Sequence, residues 1–243
     1  MKLLLINPNT TNTMTRTIAA AARAAAGAGT EVVAVQPTFG PASIESHYEE
    51  AFAAASVAEQ AWLARAAPPD ATVIACFGDP GLDAAREVLD GPVLGIAEAA
   101  FHAASLLATG FSVVTTLTRT CVTAERLVQR YGFESTCRGV HGTDIPVLAL
   151  EDDGAALEQI EHAAREALAR DRSGALVLGC AGMAPLCAEL SRRLSVPVVD
   201  GVAAAVKLAE SLALAGFRTS RSDYPAPPRK TYAGWASAFA PER

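Results

Sequence analysis

The sequence has few of the residues on which nucleic-acid and membrane proteins depend. Aromatic residues make up 6% of the chain and histidines number four, which leaves little material for stacking on bases. Lys and Arg number 20 against 26 Asp and Glu, and the resulting net charge of −6 disfavours polyanionic partners. No apolar run approaches the roughly 18 residues that span a bilayer. We therefore expect neither a nucleic-acid nor a membrane partner.

Motifs that hold cofactors and metals are also missing. The chain contains neither G-x-G-x-x-G nor G-x-x-x-x-G-K-[ST], so neither a dinucleotide site nor a P-loop is expected. Its five cysteines form no C-x-x-C pair, and an odd number does not suit a disulfide framework. We expect no metal and no organic cofactor. The apolar stretch near the N-terminus is four residues long, too short for a signal peptide, so we expect a cytoplasmic protein.

What the chain does have is an alternation of short apolar runs with Ala-rich segments. This pattern predicts βα units and a mainly parallel sheet, and 243 residues suffice for a sizeable core. The predicted strands cover 2–6, 31–35, 72–76, 92–96, 111–115, 145–149, 174–179 and 196–199. The predicted helices cover 11–26, 46–66, 80–89, 98–108, 121–131, 152–170, 184–193 and 201–215. The Pro-rich segment 224–232 should form an extended tail that packs on the body or on a neighbouring subunit.

The most informative pattern is a duplication. Segments 72–111 and 175–217 both contain a strand, a Cys, a Gly-containing turn, a helix, a Pro-led strand and a second Ala-rich helix. Cys76 matches Cys180 at an offset of 104 (180 − 76). The strand at Leu4 matches the strand at Ser112 at an offset of 108 (112 − 4). The fold class predicted is α/β, with two pseudo-symmetric lobes, each a mainly parallel sheet flanked by helices. Lobe 1 would be 1–98 plus 210–243, and lobe 2 would be 99–209.

The duplication also distinguishes two cysteines from the other three. A single Cys after a strand is in most proteins a small buried apolar residue, and this interpretation suits Cys121, Cys137 and Cys187. Cys76 and Cys180 instead occupy matching positions where strands end, and ligands bind beyond the carboxyl ends of parallel strands. If the lobes face each other, two thiols approach one cleft from opposite sides, which suits inversion of a carbon acid. We expect helix N-termini beyond each Cys to lower the thiol pKa towards working pH.

Several segments together resemble the hydantoin racemase family of the aspartate/glutamate racemase superfamily, over nearly the whole chain. These segments are Ile6–Thr11, Gly40–Ser46, Cys76–Gly81, Thr115–Leu117, Leu178–Met183 and Tyr224–Lys230. The resemblance implies an active site in the interlobe cleft, no cofactor, a homo-oligomer, and Cys76 and Cys180 as acid/base groups. It also implies substrate-binding roles for Asn9, Pro41, Ile44, Phe77, Gly78, Thr115, Thr116 and Gly182. Asn9 and Thr116 have an alternative role as helix caps.

The substrates implied are 5-substituted hydantoins or allantoin. Other reactions of the superfamily are alternatives: amino-acid racemisation, cis–trans isomerisation of maleate and decarboxylation of arylmalonates. Arylmalonate decarboxylases keep one of the two cysteines, whereas this chain has both. Amino-acid racemases usually carry an acidic residue and a serine in the first turn, where this chain has Asn7-Pro8-Asn9. A non-catalytic small-molecule-binding protein is a further alternative, distinguishable because it would bind ligand without exchanging its hydrogen with solvent.

Overall fold

Two four-stranded sheets, parallel throughout, form the centre of the protein; the structure is a computed structural model that describes residues 1–151 and 153–240. The strand orders are β2-β1-β3-β4 and β6-β5-β7-β8. The strands are β1 (Lys2–Ile6), β2 (Glu31–Val35), β3 (Ala71–Ile74), β4 (Val93–Gly95), β5 (Phe111–Thr115), β6 (Cys137–Gly142), β7 (Ala175–Leu178) and β8 (Val198–Asp200). The α-helices are α1 (Asn12–Ala25), α2 (His47–Ala64), α3 (Leu82–Val88), α4 (Ile96–Leu107), α5 (Cys121–Arg130), α6 (Asp153–Asp171), α7 (Cys187–Leu194) and α8 (Gly201–Leu214). Three 3₁₀ helices of five or six residues cover Val147–Glu151, Ala181–Leu186 and Gly234–Phe239.

The predicted α/β class with two similar lobes is confirmed, and the central strands are buried along their whole length. Every residue of β3, β5 and β7 is buried. Parallel strands covered by helices on both faces have this composition, rather than the alternating pattern of a half-exposed sheet. The same runs of Val, Leu and Ile that made the strands recognisable in the sequence therefore place them at the centre of each sheet.

The strand register reproduces the offsets read from the sequence. Ile6 lies opposite Ile74 in the first sheet, and Val114 lies opposite Leu178 in the second. The differences, 108 (114 − 6) and 104 (178 − 74), equal those found for the Leu4 strand and for Cys76. Corresponding residues therefore leave the two sheets at corresponding points, which is the condition for a pseudo-symmetric site.

The strand predicted at 145–149 is wrong. The edge strand of the second sheet is β6, and the segment after it forms the 3₁₀ helix Val147–Glu151. The left-handed Asp144 (φ 57°) turns the chain, and Pro146 lacks the N–H that a strand would donate. β6 itself reads Cys-Arg-Gly-Val-His-Gly and has no apolar run, because it is half-buried and pairs with β5 alone. His141 lies in this strand.

The lobes share one core through exchanged helices. α4 follows the first sheet but packs on β7 of the second, while α8 follows the second sheet and packs on β3 of the first. The two helices also pack on each other, so closely that a Cβ at Gly201 would lie 2.5 Å from the carbonyl oxygen of Ile96. The proposed boundaries at 98/99 and 209/210 fall within α4 and α8, and they stay a prediction.

The C-terminal segment packs on the body of the first lobe, and in the predicted tail 224–232 the Tyr224 hydroxyl accepts from the Arg86 guanidinium at 3.4 Å. The guanidinium of Arg221 donates to the carbonyl oxygens of Arg86 and Glu87 at the end of α3. Further along, the ring of Trp235 lies 5.0 Å from that of Phe39. No helix in the described part of the chain has the length and apolar character needed to cross a membrane.

Candidate active site

A small cavity lies between the lobes at the carboxyl ends of the central strands. The volume of this cavity is about 60 Å³. The turns that follow β1, β3, β5 and β7 all contribute, because the carboxyl ends of parallel strands share one edge of a sheet. The lining residues are Asn9, Met14, Ile44, Ser46, Glu50, Ala75, Cys76, Phe77, Gly78, Thr115, Thr116, Thr120, Thr123, Ala124, Val147, Gly179, Cys180 and Ala181.

Cys76 and Cys180 both line this cavity, one from each lobe. Each stands two residues beyond the end of its strand, after β3 and after β7. Each faces the cavity while protein surrounds the rest of the side chain, and both are free thiols. The N–H of Gly78 points to the Cys76 thiol, and the N–H groups of Gly182 and Met183 point to the Cys180 thiol.

The expected lowering of the thiol pKa values is wrong. Burial raises the pKa of Cys76 to about 12 and that of Cys180 to about 11, outweighing the N–H donors. The negative charges of Cys180, Asp79 and Glu50 raise the pKa of Cys76 further. The negative charge of Glu45 does the same for the pKa of Cys180. The helix expected beside Cys76 starts only at Leu82, beyond an intervening turn, so its dipole is too distant to compensate. Both groups therefore rest as neutral thiols.

Asn9 is buried, and its side chain is tied into the turn after β1. Its Oδ1 accepts from the Asn7 side chain and from the N–H of Thr11, both at 2.9 Å. Its Nδ2 donates to the sulfur of Met14 at 3.0 Å. A thioether is a weak acceptor, so this N–H group gains by exchanging it for a carbonyl oxygen in the cavity. Asn9 thus orders the turn after β1, and one of its amide N–H groups has only a weak acceptor.

Thr115, the last residue of β5, and Thr116, which follows it, line the cavity from the second lobe. The Oγ1 of Thr115 donates to the carbonyl oxygen of Gly179 at 2.9 Å. A Cβ at Gly179 would lie 2.6 Å from that of Thr115, so glycine is required for β5 and β7 to approach each other here. The bond fixes the residue that immediately precedes Cys180. The Thr116 carbonyl accepts from the N–H groups of Thr143 and Ile145, which anchors the loop after β6.

Gly78 and Glu50 meet at the cavity wall. A Cβ at position 78 would lie 2.8 Å from the Glu50 Oε1, so the absent side chain makes room for this carboxylate. The other oxygen of Glu50 lies 2.7 Å from the His47 ring. A carboxylate at this place is an acceptor for N–H groups of a bound molecule. Phe77, the residue between Cys76 and Gly78, also lines the cavity and packs edge-on against Phe101.

The remaining predicted residues divide into two groups. Ile44 lines the cavity, whereas Pro41 does not; its carbonyl accepts from the N–H of Thr10 and holds the loop before α2 against the first turn. Gly182 borders a neighbouring groove of about 420 Å³, next to Leu150, and reaches the site through its N–H. Eight of the ten predicted residues therefore line one cavity. The other two, Pro41 and Gly182, lie outside it and contact residues that line it or adjoin it.

Sequence reasoning missed a set of polar residues that come from helix starts. Ser46 and Glu50 enter from the start of α2, and Thr120 and Thr123 from the start of α5. One signal was present: Ser46 and Glu49 have the S-x-x-E spacing of a capping box, and the Ser46 oxygen does accept from the Glu49 N–H. The described residues contain no group of three or more His, Cys, Asp or Glu placed to hold a metal ion.

Two parallel-sheet lobes enclose a cavity to which each contributes one thiol, and they define a two-lobed α/β protein with a site of small-molecule size between its lobes. Residues 3–209 match the family model described as Asp/Glu/hydantoin racemase. A hydantoin racemase of Pseudomonas sp. (strain NS671) is 46% identical over 241 residues, 98% of this chain and 97% of that protein. The chain therefore belongs to the Asp/Glu/hydantoin racemase family, and it is an isomerase of the racemase type.

Solved structures agree with this assignment. The allantoin racemase from Klebsiella pneumoniae shares 52% sequence identity with a TM-score of 0.97, and the alignment covers all of both chains. The allantoin racemase from Pseudomonas fluorescens shares 41% identity with a TM-score of 0.93, over 96% of this chain and all of that one. The two-lobed fold is thus common to this chain and to family members of closely similar length.

Proposed function

We propose that the protein is a cofactor-independent racemase that inverts C5 of allantoin or of a 5-substituted hydantoin. The observation that carries the proposal is the placement of Cys76 and Cys180, at equivalent points of two pseudo-symmetric lobes, in one small cavity. Relatives named hydantoin racemase and allantoin racemase, at 46% and 52% identity, support the substrate class.

The reaction needs one thiolate and one thiol. The thiolate on one face removes the C5 proton, and the electron pair of the C–H bond moves into the adjacent carbonyl to give an enolate. The thiol on the other face then gives its proton to C5, which regenerates the carbonyl with inverted configuration. One proton has been lost and one gained by the substrate, and the negative charge has passed from one cysteine to the other. The reverse reaction, from the opposite enantiomer, starts with the negative charge on this second cysteine.

Each thiolate has its own backbone N–H donors, which stabilise it when it forms. When Cys76 is ionised, the Gly78 N–H stabilises it; when Cys180 is ionised, the N–H groups of Gly182 and Met183 do so. The mutual repulsion of the two thiolates disfavours ionising both at once. The site thus favours the singly ionised state that the proposed mechanism requires.

The rest of the cavity suits a small ring rich in carbonyl and N–H groups. Donors come from the Asn9 amide and from threonine hydroxyls, and acceptors from the same hydroxyls and from the Glu50 carboxylate. Each donor aimed at the developing enolate oxygen would contribute on the order of 3 kcal/mol. A neutral amide turn, Asn7-Pro8-Asn9, stands where an ammonium group would need an acidic residue.

A chiral assay across compound classes tests the proposal. Purified protein without added cofactor should erase the optical rotation of allantoin or of a 5-substituted hydantoin, and in D₂O it should exchange the C5 hydrogen. Single enantiomers of glutamate and aspartate should keep their rotation. Turnover of the amino acids alone, CO₂ release from an arylmalonate, or fumarate formation from maleate would each contradict the proposal. Binding of a hydantoin with no exchange at any pH would indicate a binding protein instead.

The raised thiol pKa values predict that activity increases with pH. Below the pKa of about 11 at Cys180, the fraction of enzyme holding one thiolate grows tenfold per pH unit. We therefore expect log(kcat/KM) to rise with a slope near +1 between about pH 7 and 9. Initial rates by polarimetry at constant ionic strength measure this, with circular dichroism as a control for folding at each pH. A flat profile over this range would contradict the assignment of resting neutral thiols.

A cytoplasmic location is part of the proposal, since five cysteines without a disulfide suit a reducing compartment. Association into a homo-oligomer stays a prediction. Gel filtration coupled to light scattering would give the mass in solution directly, for comparison with the 25.1 kDa of one chain.

A further inference from the structure

Glu45 connects the two lobes beside the cavity. It precedes Ser46, the residue that caps α2, and its own N–H donates to the Glu49 carboxylate at 2.7 Å. Its side chain extends to the second lobe, where Oε1 accepts from the N–H of Val147 at 2.7 Å. The two residues are 102 positions apart in the chain. The bond therefore joins the loop before α2 to the 3₁₀ helix after β6.

This bond lies at the cavity itself. Ile44, the residue before Glu45, lines the cavity, and so does Val147, the donor. Val147 is buried, and it also borders the neighbouring groove of about 420 Å³ together with Met14. Its N–H is the first of the 3₁₀ helix and has no carbonyl partner within that helix. Holding this N–H fixes the part of the wall that separates the cavity from the groove.

Glu45 also places a charge near one of the two thiols. Burial raises the pKa of Cys180, and the negative charge of the Glu45 carboxylate raises it further. Cys76 is the other titratable group near Cys180, since the two thiols repel when ionised. The charges of Glu50 and Asp79 raise the pKa of Cys76 instead. Removing the charge at position 45 therefore affects the Cys180 side of the pair, while Cys76 keeps its own acidic neighbours.

We propose that Glu45 is a positioning residue: its carboxylate closes the cavity on the side of Cys180 by accepting from the Val147 N–H. The catalytic part of this inference rests on the proposed racemase function. Two substitutions at this position should have different effects, because glutamine keeps an acceptor oxygen and loses the charge, whereas alanine loses both.

The kinetic test compares Glu45→Gln with Glu45→Ala. Glu45→Ala should raise KM about tenfold, the size expected for losing a hydrogen bond to a charged acceptor. Glu45→Gln should keep KM within about twofold, because its amide oxygen still accepts from Val147. Glu59→Gln, which removes a negative charge from α2 away from the cavity, should match the wild type in both respects. An unchanged KM in Glu45→Ala overturns the closing action.

The effect of the Glu45 charge on Cys180 is measured by a reaction that does not depend on racemisation. The full chain is alkylated with iodoacetamide at a series of pH values, and the Cys180 peptide is quantified by mass spectrometry. In Glu45→Gln the midpoint for Cys180 should fall by about half a pH unit, and in Glu59→Gln it should not move. An unmoved midpoint in Glu45→Gln would contradict the placement of this carboxylate on the Cys180 side of the cavity. Because alkylation needs no substrate, this result stands even if the protein racemises none of the compounds assayed.

Discussion

Replacing either Cys76 or Cys180 by serine is expected to lower the racemisation rate by a factor of about 10³ or more. A hydroxyl ionises far less readily than a thiol, so each variant lacks a base for one enantiomer and an acid for the other. Chiral chromatography of allantoin or a 5-substituted hydantoin over time measures the loss. Cys187→Ser is the matched control, since this thiol lies outside the cavity and donates to the Val198 carbonyl, as a serine hydroxyl can.

Solvent exchange tests whether the two cysteines act on opposite faces. In D₂O, the variant that keeps Cys180 should exchange the C5 hydrogen of one enantiomer without inverting it, because the remaining thiolate removes a proton and returns a deuteron to the same face. The variant that keeps Cys76 should exchange the other enantiomer. If both variants exchange the same enantiomer, or if either keeps the wild-type rate of inversion, the two-base mechanism is wrong.

The sequence predicted the parts of the site that depend on strand register. β3 and β7 are continuous apolar runs, and a duplicated unit places Cys76 and Cys180 at the same distance beyond them. Parallel strands bring their carboxyl ends to one edge, so the sequence alone assigns both thiols to a cleft. Asn9 and Thr116 were expected at the site from the family resemblance, and both line the cavity, after β1 and β5.

Features that depend on contacts between segments distant in the sequence were not predictable in this way. Glu50 reaches the cavity because Gly78 leaves space for its carboxylate, and Val147 does so because Asp144 and Pro146 turn the chain away from a strand. Neither contact follows from local periodicity. The thiol pKa values were predicted in the wrong direction for a related reason. Donor N–H groups can be inferred from a turn, but the desolvation that outweighs them arises only when both lobes surround the cavity.

Asp79, next to the Cys76 turn, is expected to be the largest single contributor to stability near the site. It is buried, and its carboxylate accepts from the N–H groups of Ala97 and Glu98 at the start of α4. It also accepts from the Tyr131 hydroxyl, which follows α5. Asp79 adopts a left-handed conformation (φ 44°), which Asp and Asn tolerate better than Ala. It thereby ties the turn to elements of both lobes.

Asp79→Ala should lower the free energy of unfolding by about 3 kcal/mol at about pH 4, where the folded residue is protonated, because three buried donors lose their acceptor. Urea denaturation followed by circular dichroism measures this. Asp83→Ala, a change of the same type at an exposed residue of α3 that pairs with Arg130, should lose less than about 1 kcal/mol. Equal losses in the two variants would show that the buried bonds of Asp79 add nothing to stability.

The pH dependence of the same measurement separates the charge of Asp79 from its hydrogen bonds. Burial raises the pKa of Asp79 to about 6, against about 3.9 for an aspartate in an unfolded chain. Between these values the folded state binds more protons, so this residue's contribution is complete below about pH 4 and is lost as pH rises through 6. The loss amounts to about 3 kcal/mol. Asp79→Asn keeps the shape and the left-handed backbone but cannot titrate, so its unfolding free energy should lack this component. If wild type and Asp79→Asn change in parallel from pH 4 to 7, the ionisation of Asp79 is not coupled to folding, and the donors around it hold the carboxylate as well as water does.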